Sequence, residues 1–235
     1  MVVLWEKVLM LEKFEKKNTL PDTPGVYFFL DTEKKLLYIG KATSLYDRVK
    51  SYFSSDIAAV RGPKIQLMLE QACFVAYRTT DSVLEALILE TNLIKQHQPL
   101  YNTDAKDDKS FNYVVITKEK FPRVLLARGK EIESQSLNYE IKYQFGPFTS
   151  GNMLREAMKI VRKLFPYREK CKPYVELALK RQERLRPCFA AQIGLCPGVC
   201  TGAITARAYQ KTIHHICLFF EGRKNQLIKK LEREM

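Results

Sequence analysis

The stretch GVYFFLDTEKKLLYIGKA, Gly25 to Ala42, sets two tyrosines, Tyr27 and Tyr38, on either side of one charged turn. Tyrosine is a common strand residue, so packing accounts for either one. As a pair they also bring two hydroxyls able to hold a proton or a hydrogen bond. A second feature is an acid where an apolar residue belongs. In VLEALILETNLIKQH, Val83, Leu87 and Ile94 fall within roughly 40° of one another at helical spacing, and Glu90 lies about 20° outside that arc. An unpaired carboxylate there is costly, so Glu90 must meet a cation, a hydrogen-bond donor or a metal, and a structural ion pair meets the need as well as a metal does. The third feature is the cysteines: Cys73 and Cys217 stand alone, while Cys171, Cys188, Cys196 and Cys200 crowd together. In a reducing cytoplasm such a cluster suggests a metal site more than disulfides. The spacings are not the paired CxxC knuckles of a zinc ribbon, so zinc, an iron–sulfur cluster and buried free thiols all stay open.

These groups need elements to hold them. Val26 to Leu30 and Leu36 to Ile39 are short apolar runs around the polar DTEKK, which predicts a β-hairpin carrying one tyrosine on each strand. Ser44 followed by Asp47 is an acidic variant of a capping box, and Leu45, Val49 and Tyr52 continue at helical spacing, so a helix leaves the second strand with Arg48 near its start. CFVAYRTT predicts a third strand. Asp81 or Ser82 can cap the long helix that carries Glu90, and Pro99 stops it; Glu85 lies on its solvated face. Beyond Asn102, NYVVITKEKFPRVLLAR predicts two strands around Phe121-Pro122, YQFGPFTS a short extended piece, and the chain from Asn152 is mainly helical. The boundary falls near residues 103–110, with KDDKS as a charged connector. At the N-terminus, Leu4, Val8 and Leu11 share one helical face and predict an amphipathic first helix.

Composition bounds the function. The chain has 235 residues, 46% of them hydrophobic, with 10 Gly and 10 Pro, enough apolar material for one large or two small domains and unlike a disordered chain. Lys and Arg number 39 against 26 Asp and Glu, giving +13. Such a surplus suits a polyanion, so nucleic acid is the first partner to test. Charges at Glu6, Lys7, Glu12 and Lys13 break the N-terminal apolar run, which excludes a signal peptide or a membrane span there and points to a cytoplasmic protein.

Together these residues resemble the GIY-YIG nucleases, and more closely the N-terminal half of the UvrC excinuclease family. Gly25-Val26-Tyr27 resembles the first motif and Tyr38-Ile39-Gly40 the second, followed by GKA and by Arg48. LILETNLIK, PLYN, KDDKS, FPRV, FGPFTS, RPC and QIGLC are similar to later landmarks of the family in the same order. The chain departs from the family pattern at Asn112, where a proline is usual, at Ala190 and Ala191, where aromatics are usual, and at Cys171, which lies one position later than the usual cysteine.

The resemblance implies an α/β (α+β) fold: a GIY-YIG domain over residues 1–105, with the N-terminal helix and a three-stranded antiparallel sheet flanked by helices, then a small β and mainly helical region holding the cysteines over 106–235. It implies hydrolysis of a DNA phosphodiester. Glu90 would hold a single Mg²⁺ or Mn²⁺, Tyr27 would act as general base, and Lys41 or Arg48 would supply the positive charge that role needs. Arg48 would also grip phosphate oxygens, Tyr38 and Lys41 would orient water and phosphate, and Asn102 would brace the site or contact substrate. Cys171, Cys188, Cys196 and Cys200 would carry a [4Fe–4S] cluster. The expected partners are damaged double-stranded DNA and the UvrA and UvrB repair proteins, with no membrane. The expected reaction is the 3′-side incision of nucleotide excision repair, and a chain ending at Met235 resembles the short Cho-type endonucleases. Two rivals are a stand-alone GIY-YIG nuclease acting on branched or flap DNA, and a non-catalytic DNA-binding adaptor.

Overall fold

The computed structural model describes residues 5–11, 20–54, 61–102, 111–174 and 186–234. The chain divides into two compact units, Met1–Lys106 and Asp107–Met235. The KDDKS connector lies outside the described residues.

The first unit is a mixed layer of strands and helices. Strands β1 (Lys7–Met10), β2 (Gly25–Leu30), β3 (Leu36–Ala42) and β4 (Phe74–Thr79) form one sheet in the order β1-β4-β2-β3, with every neighbour antiparallel. The β2–β3 turn closes as its sequence predicts: Asp31 Oδ1 accepts from the backbone N–H groups of Glu33 and Lys35 at 2.9 and 2.8 Å. β2 is apolar throughout because both of its faces are covered. On one face Tyr27 and Phe29 pack with Leu45, Val49, Tyr52 and Met68. These come from α1 (Leu45–Lys50), the 3₁₀ turn Ser51–Phe53 and α2 (Pro63–Gln71). On the other face Val26, Phe28 and Ile39 pack with Ala86 and Leu93 of α3 (Val83–His97). Ser44 caps α1 by accepting from Asp47 N, and Ser82 caps α3 by accepting from Glu85 N.

The sheet has four strands where three are expected, and residues 7–10 are a strand where the sequence predicts part of an amphipathic helix; that stretch beyond Leu11 lies outside the described residues. Residues 7–10 pair with β4, and Glu6 fixes the end of the pairing through Thr79 N and Oγ1 at 3.1 and 2.9 Å. A short amphipathic pattern is a weak helix signal, because a few turns cannot offset the cost of helix nucleation. The open edge of β4 offers backbone partners instead. Leu4 lies outside the described residues.

In the second unit β5 (Asn112–Thr117), β6 (Val124–Arg128) and β7 (Ile141–Phe148) form an antiparallel sheet in the order β6-β5-β7. Its helices among the described residues include α4 (Gly129–Glu133), α5 (Gly151–Leu164), α6 (Phe189–Gln192), α7 (Ala206–Phe220) and α8 (Lys224–Glu234). Tyr209 of α7 is fully buried, and its hydroxyl donates to Pro122 O at 2.7 Å and accepts from Arg168 N at 2.8 Å. No helix among the described residues is long and apolar enough to cross a membrane.

Candidate active site

Tyr27 stands opposite Gly40 on β3 and Tyr77 on β4, so all three residues share a sheet face. The register explains the glycine of the second motif. A Cβ on Gly40 would overlap Oη and Cζ of Tyr27, so only hydrogen leaves room for the ring. Tyr38 lies on the same face one pair further along, with its ring centroid 6.2 Å from that of Tyr27. The hairpin thus brings the two tyrosines together as their strand positions imply.

The Tyr27 hydroxyl is wholly buried and has two partners. It shares a 2.6 Å hydrogen bond with Tyr52 Oη and accepts from Arg48 Nε at 3.3 Å. Arg48 sits in the last turn of α1, the helix that Ser44 starts. Burial pushes the Tyr27 phenol well above its ordinary pKa; Tyr38 and Tyr52 add to the rise, and Arg48 opposes it. Tyr38 is raised too, by burial, then by Tyr52 and by the charge of Glu90. Burial alone would lower Arg48, but the phenols Tyr27 and Tyr52 outweigh it and hold the guanidinium above its usual value. The chain by itself therefore keeps Tyr27 a neutral phenol beside a fixed cation.

Tyr52 is the member of this cluster that the sequence reading leaves in the core. Its spacing from Leu45 and Val49 places it on the buried face of α1, which hides its second role. Its position four residues after Arg48 is the available signal, since residues at that spacing meet on a helix. Two guanidinium groups lie over the Tyr52 ring, Arg61 at 3.9 Å and Arg48 at 5.8 Å from the ring centroid.

Lys41, Glu90 and Asn102 gather at the outer edge of β3. In an antiparallel pair the backbone groups of alternate residues point away from the partner strand, and those of Ile39 and Lys41 point outward from β2. Asn102 holds Ile39 as a neighbouring strand would: its Oδ1 accepts from Ile39 N and its Nδ2 donates to Ile39 O, both at 2.8 Å. Glu90 holds Lys41 twice, Oε1 accepting from the backbone N and Oε2 from Nζ, both at 3.0 Å. Glu90 is 6% exposed. The acid of the apolar stripe therefore meets both a donor and a cation. Of the two cations the sequence offers Tyr27, Arg48 reaches its hydroxyl, while Lys41 is turned to Glu90. The carboxylate and the phenols come from opposite faces of the sheet, and their closest electrostatic link is at Tyr38.

A divalent cation fits this donor set. Each Glu90 oxygen carries one hydrogen bond and keeps a lone pair, and Mg²⁺ commonly binds through one carboxylate with water and phosphate oxygens for the rest. The Lys41 ammonium competes for Oε2.

In the second unit the thiols of Cys171, Cys188 and Cys200 lie within 4.8 Å of one another. The Cys196 thiol interacts with those of Cys171 and Cys188, so all four candidate cysteines gather in one region. The hydrogen bond from Cys171 draws Cys196 down to about 6, helped by the backbone of Val199 and Gly198, while the same bond and burial push Cys171 up. Four free sulfurs gathered in this way fit a soft metal or an iron–sulfur cluster.

A paired-phenol hairpin with an arginine on the following helix and a carboxylate at the sheet edge defines a GIY-YIG domain. The UvrC-like GIY-YIG domain model matches residues 23–103, and the UvrC/Cho excinuclease middle-domain model matches residues 111–219. The chain belongs to the UvrC family. It is 41% identical to the UvrABC system protein C of Alkaliphilus metalliredigens over 227 residues, covering 96% of this chain and 35% of that protein. It is 40% identical to the one from Cyanothece sp. over 217 residues, covering 92% and 32% respectively. The chain thus spans about a third of the length of the curated relatives it matches. Among solved structures it is similar to the GIY-YIG N-terminal endonuclease domain of UvrC from Thermotoga maritima, bound to its catalytic divalent cation, magnesium, at 37% identity and a TM-score of 0.34. That likeness covers 40% of this chain and 99% of the other.

Proposed function

We propose that the chain is a metal-dependent DNA endonuclease that makes the 3′-side incision of nucleotide excision repair, acting with UvrA and UvrB. The observation that carries this reading is the buried Tyr27–Tyr52–Arg48 cluster beside the Glu90-sealed edge of β3, in a chain of the UvrC family. A fold retained only to bind DNA has no use for a buried phenol held against a guanidinium.

Tyr27 is the general base of this reading: it takes the proton of the attacking water only as its phenolate, and substrate must first open its sealed hydroxyl to water. Arg48 is the cation of this chain that favours that form, and burial opposes it. The forked guanidinium of Arg48 also suits the non-bridging phosphate oxygens, where charge builds in the transition state. Tyr38 orients water or phosphate from the same face, and Asn102 keeps the edge of β3 rigid beneath them. Glu90 is the residue that would hold Mg²⁺ or Mn²⁺, and a cation bound there supplies Lewis acidity toward the phosphate and the leaving oxygen. Cys171, Cys188, Cys196 and Cys200 would hold the [4Fe–4S] cluster; anaerobically purified protein should absorb near about 400 nm and contain iron. A colourless protein carrying zinc would make it a zinc site instead.

The test is Mg²⁺-dependent incision of an end-labelled, lesion-bearing duplex with and without UvrA and UvrB. Tyr27→Phe, Arg48→Ala and Glu90→Gln should each lose at least a hundredfold in rate, about 2.7 kcal/mol of transition-state stabilisation. Variants that cut at the wild-type rate would remove these assignments, and cutting independent of UvrB would favour a stand-alone nuclease.

A further inference from the structure

The charge of this chain is not shared evenly between its units. Residues 1–106 carry 14 Lys and Arg against 13 Asp and Glu, a net +1, and residues 107–235 carry 25 against 13, a net +12. Nearly all the attraction for a polyanion therefore belongs to the unit without the phenol cluster.

Within that unit α7 and α8 enclose a groove of about 410 Å³ lined by Arg207, Lys211, His214, Lys230 and Arg233, with Glu234 as its one acid. The carboxylate compensates little of this charge. It is 3.7 Å from Lys211 Nζ and 3.9 Å from His215 Nε2, beyond hydrogen-bond length, and its side chain is 42% exposed. Arg207 and Arg233 make no ion pair among the described residues. Lys230 Nζ meets His214 Nε2 at 2.5 Å; an ammonium has only protons to give, so the ring nitrogen must accept. Four cations against one loosely held acid, gathered in a concave surface, repel one another until an anion enters.

We propose that the α7–α8 groove seats the phosphate backbone of duplex DNA, as a nucleic-acid contact carried by the second unit. The choice of DNA over an acidic protein follows from the +12 spread through this unit, since a long polyanion gains from every cation while a peptide meets only the groove. It rests on the duplex substrate of the nuclease reading above.

The test is binding of a labelled duplex to the full chain by anisotropy, in EDTA so that nothing is cut, across about 50–200 mM salt. Lys230→Gln with Arg233→Gln should weaken binding at least tenfold at about 0.1 M salt and make the log–log salt slope shallower by about 2. The charge-matched pair Lys172→Gln with Lys229→Gln, which does not line the groove, should weaken binding clearly less than the groove pair, and circular dichroism should show both proteins folded. Under saturating lesion-bearing duplex with Mg²⁺, UvrA and UvrB, the groove pair should cut at the wild-type rate. Wild-type affinity and slope in the groove pair would overturn the proposal and leave the nuclease reading standing. Lost affinity in the groove pair, with a wild-type chain that never cuts lesion-bearing duplex even with UvrA and UvrB, would uphold the groove and sink the nuclease reading. Loss of polyglutamate binding with duplex binding unchanged would assign the groove to an acidic protein and overturn the proposal.

Discussion

Replacing Glu90 by glutamine removes one charge and almost no volume, which makes it a sharp probe of the β3 edge. The Lys41 side chain keeps 14% exposure, and its Nζ has Glu90 as partner at 3.0 Å. Glutamine can accept from the Lys41 backbone N–H but leaves the ammonium facing a neutral amide. Breaking a buried ion pair from one side costs about 3–5 kcal/mol, and the residual exposure of Lys41 places Glu90→Gln near the lower end, about 3. The reporter is already present. The chain has one tryptophan, and Trp5 packs on Phe28 at 5.7 Å, in the core against which α3 lies. Urea unfolding followed by its fluorescence should show a midpoint lowered by about 1–2 M. The double variant Lys41→Met with Glu90→Gln removes the stranded charge and should recover most of the loss. A single variant that loses less than about 1 kcal/mol, or a double variant as unstable as the single, would refute the claim that these two side chains stabilise each other.

Asn102→Ala removes both bonds to Ile39 and should lower stability by about 2 kcal/mol, with the Ile39 amide losing its hydrogen-exchange protection. Gly40→Ala forces the Tyr27 ring from its place; it should cost about 2–3 kcal/mol and abolish cutting together, and a Gly40→Ala protein with normal activity would contradict the steric reading. Tyr27 and Tyr38 both have folded pKa values raised above the unfolded value near 10, so their contribution is complete below about pH 10 and is lost as pH rises beyond it. Trp5-monitored stability should then fall by up to about 2.7 kcal/mol per pH unit, and Tyr38→Phe should halve that slope.

The hairpin, both helix caps and the acid in the apolar stripe were legible because each is written in a local pattern: alternation, a Ser three residues ahead of an acid, or a misplaced charge. Tyr52 was not, because a residue serving both the core and a hydrogen-bond cluster shows only its apolar periodicity. The outward role of Asn102 was half legible, as bracing without a named partner, since Ile39 lies 63 residues away. Strand β1 was misread because its partner β4 is even further away in sequence, and a pattern ambiguous between helix and strand is decided by the neighbour that offers bonds. The facing of Lys41 toward Glu90 rather than Tyr27 depended on the register of β3, which a one-residue slip would invert.

The outer margin of β3 has one further consequence. An unguarded border strand is a template on which a second polypeptide can build, and proteins block it with bulges, prolines or charges. Here the blocking is done by Glu90 and Asn102 themselves. The residues proposed for chemistry thus also occupy the edge groups on which a second copy would build, and replacing Asn102 should bare them.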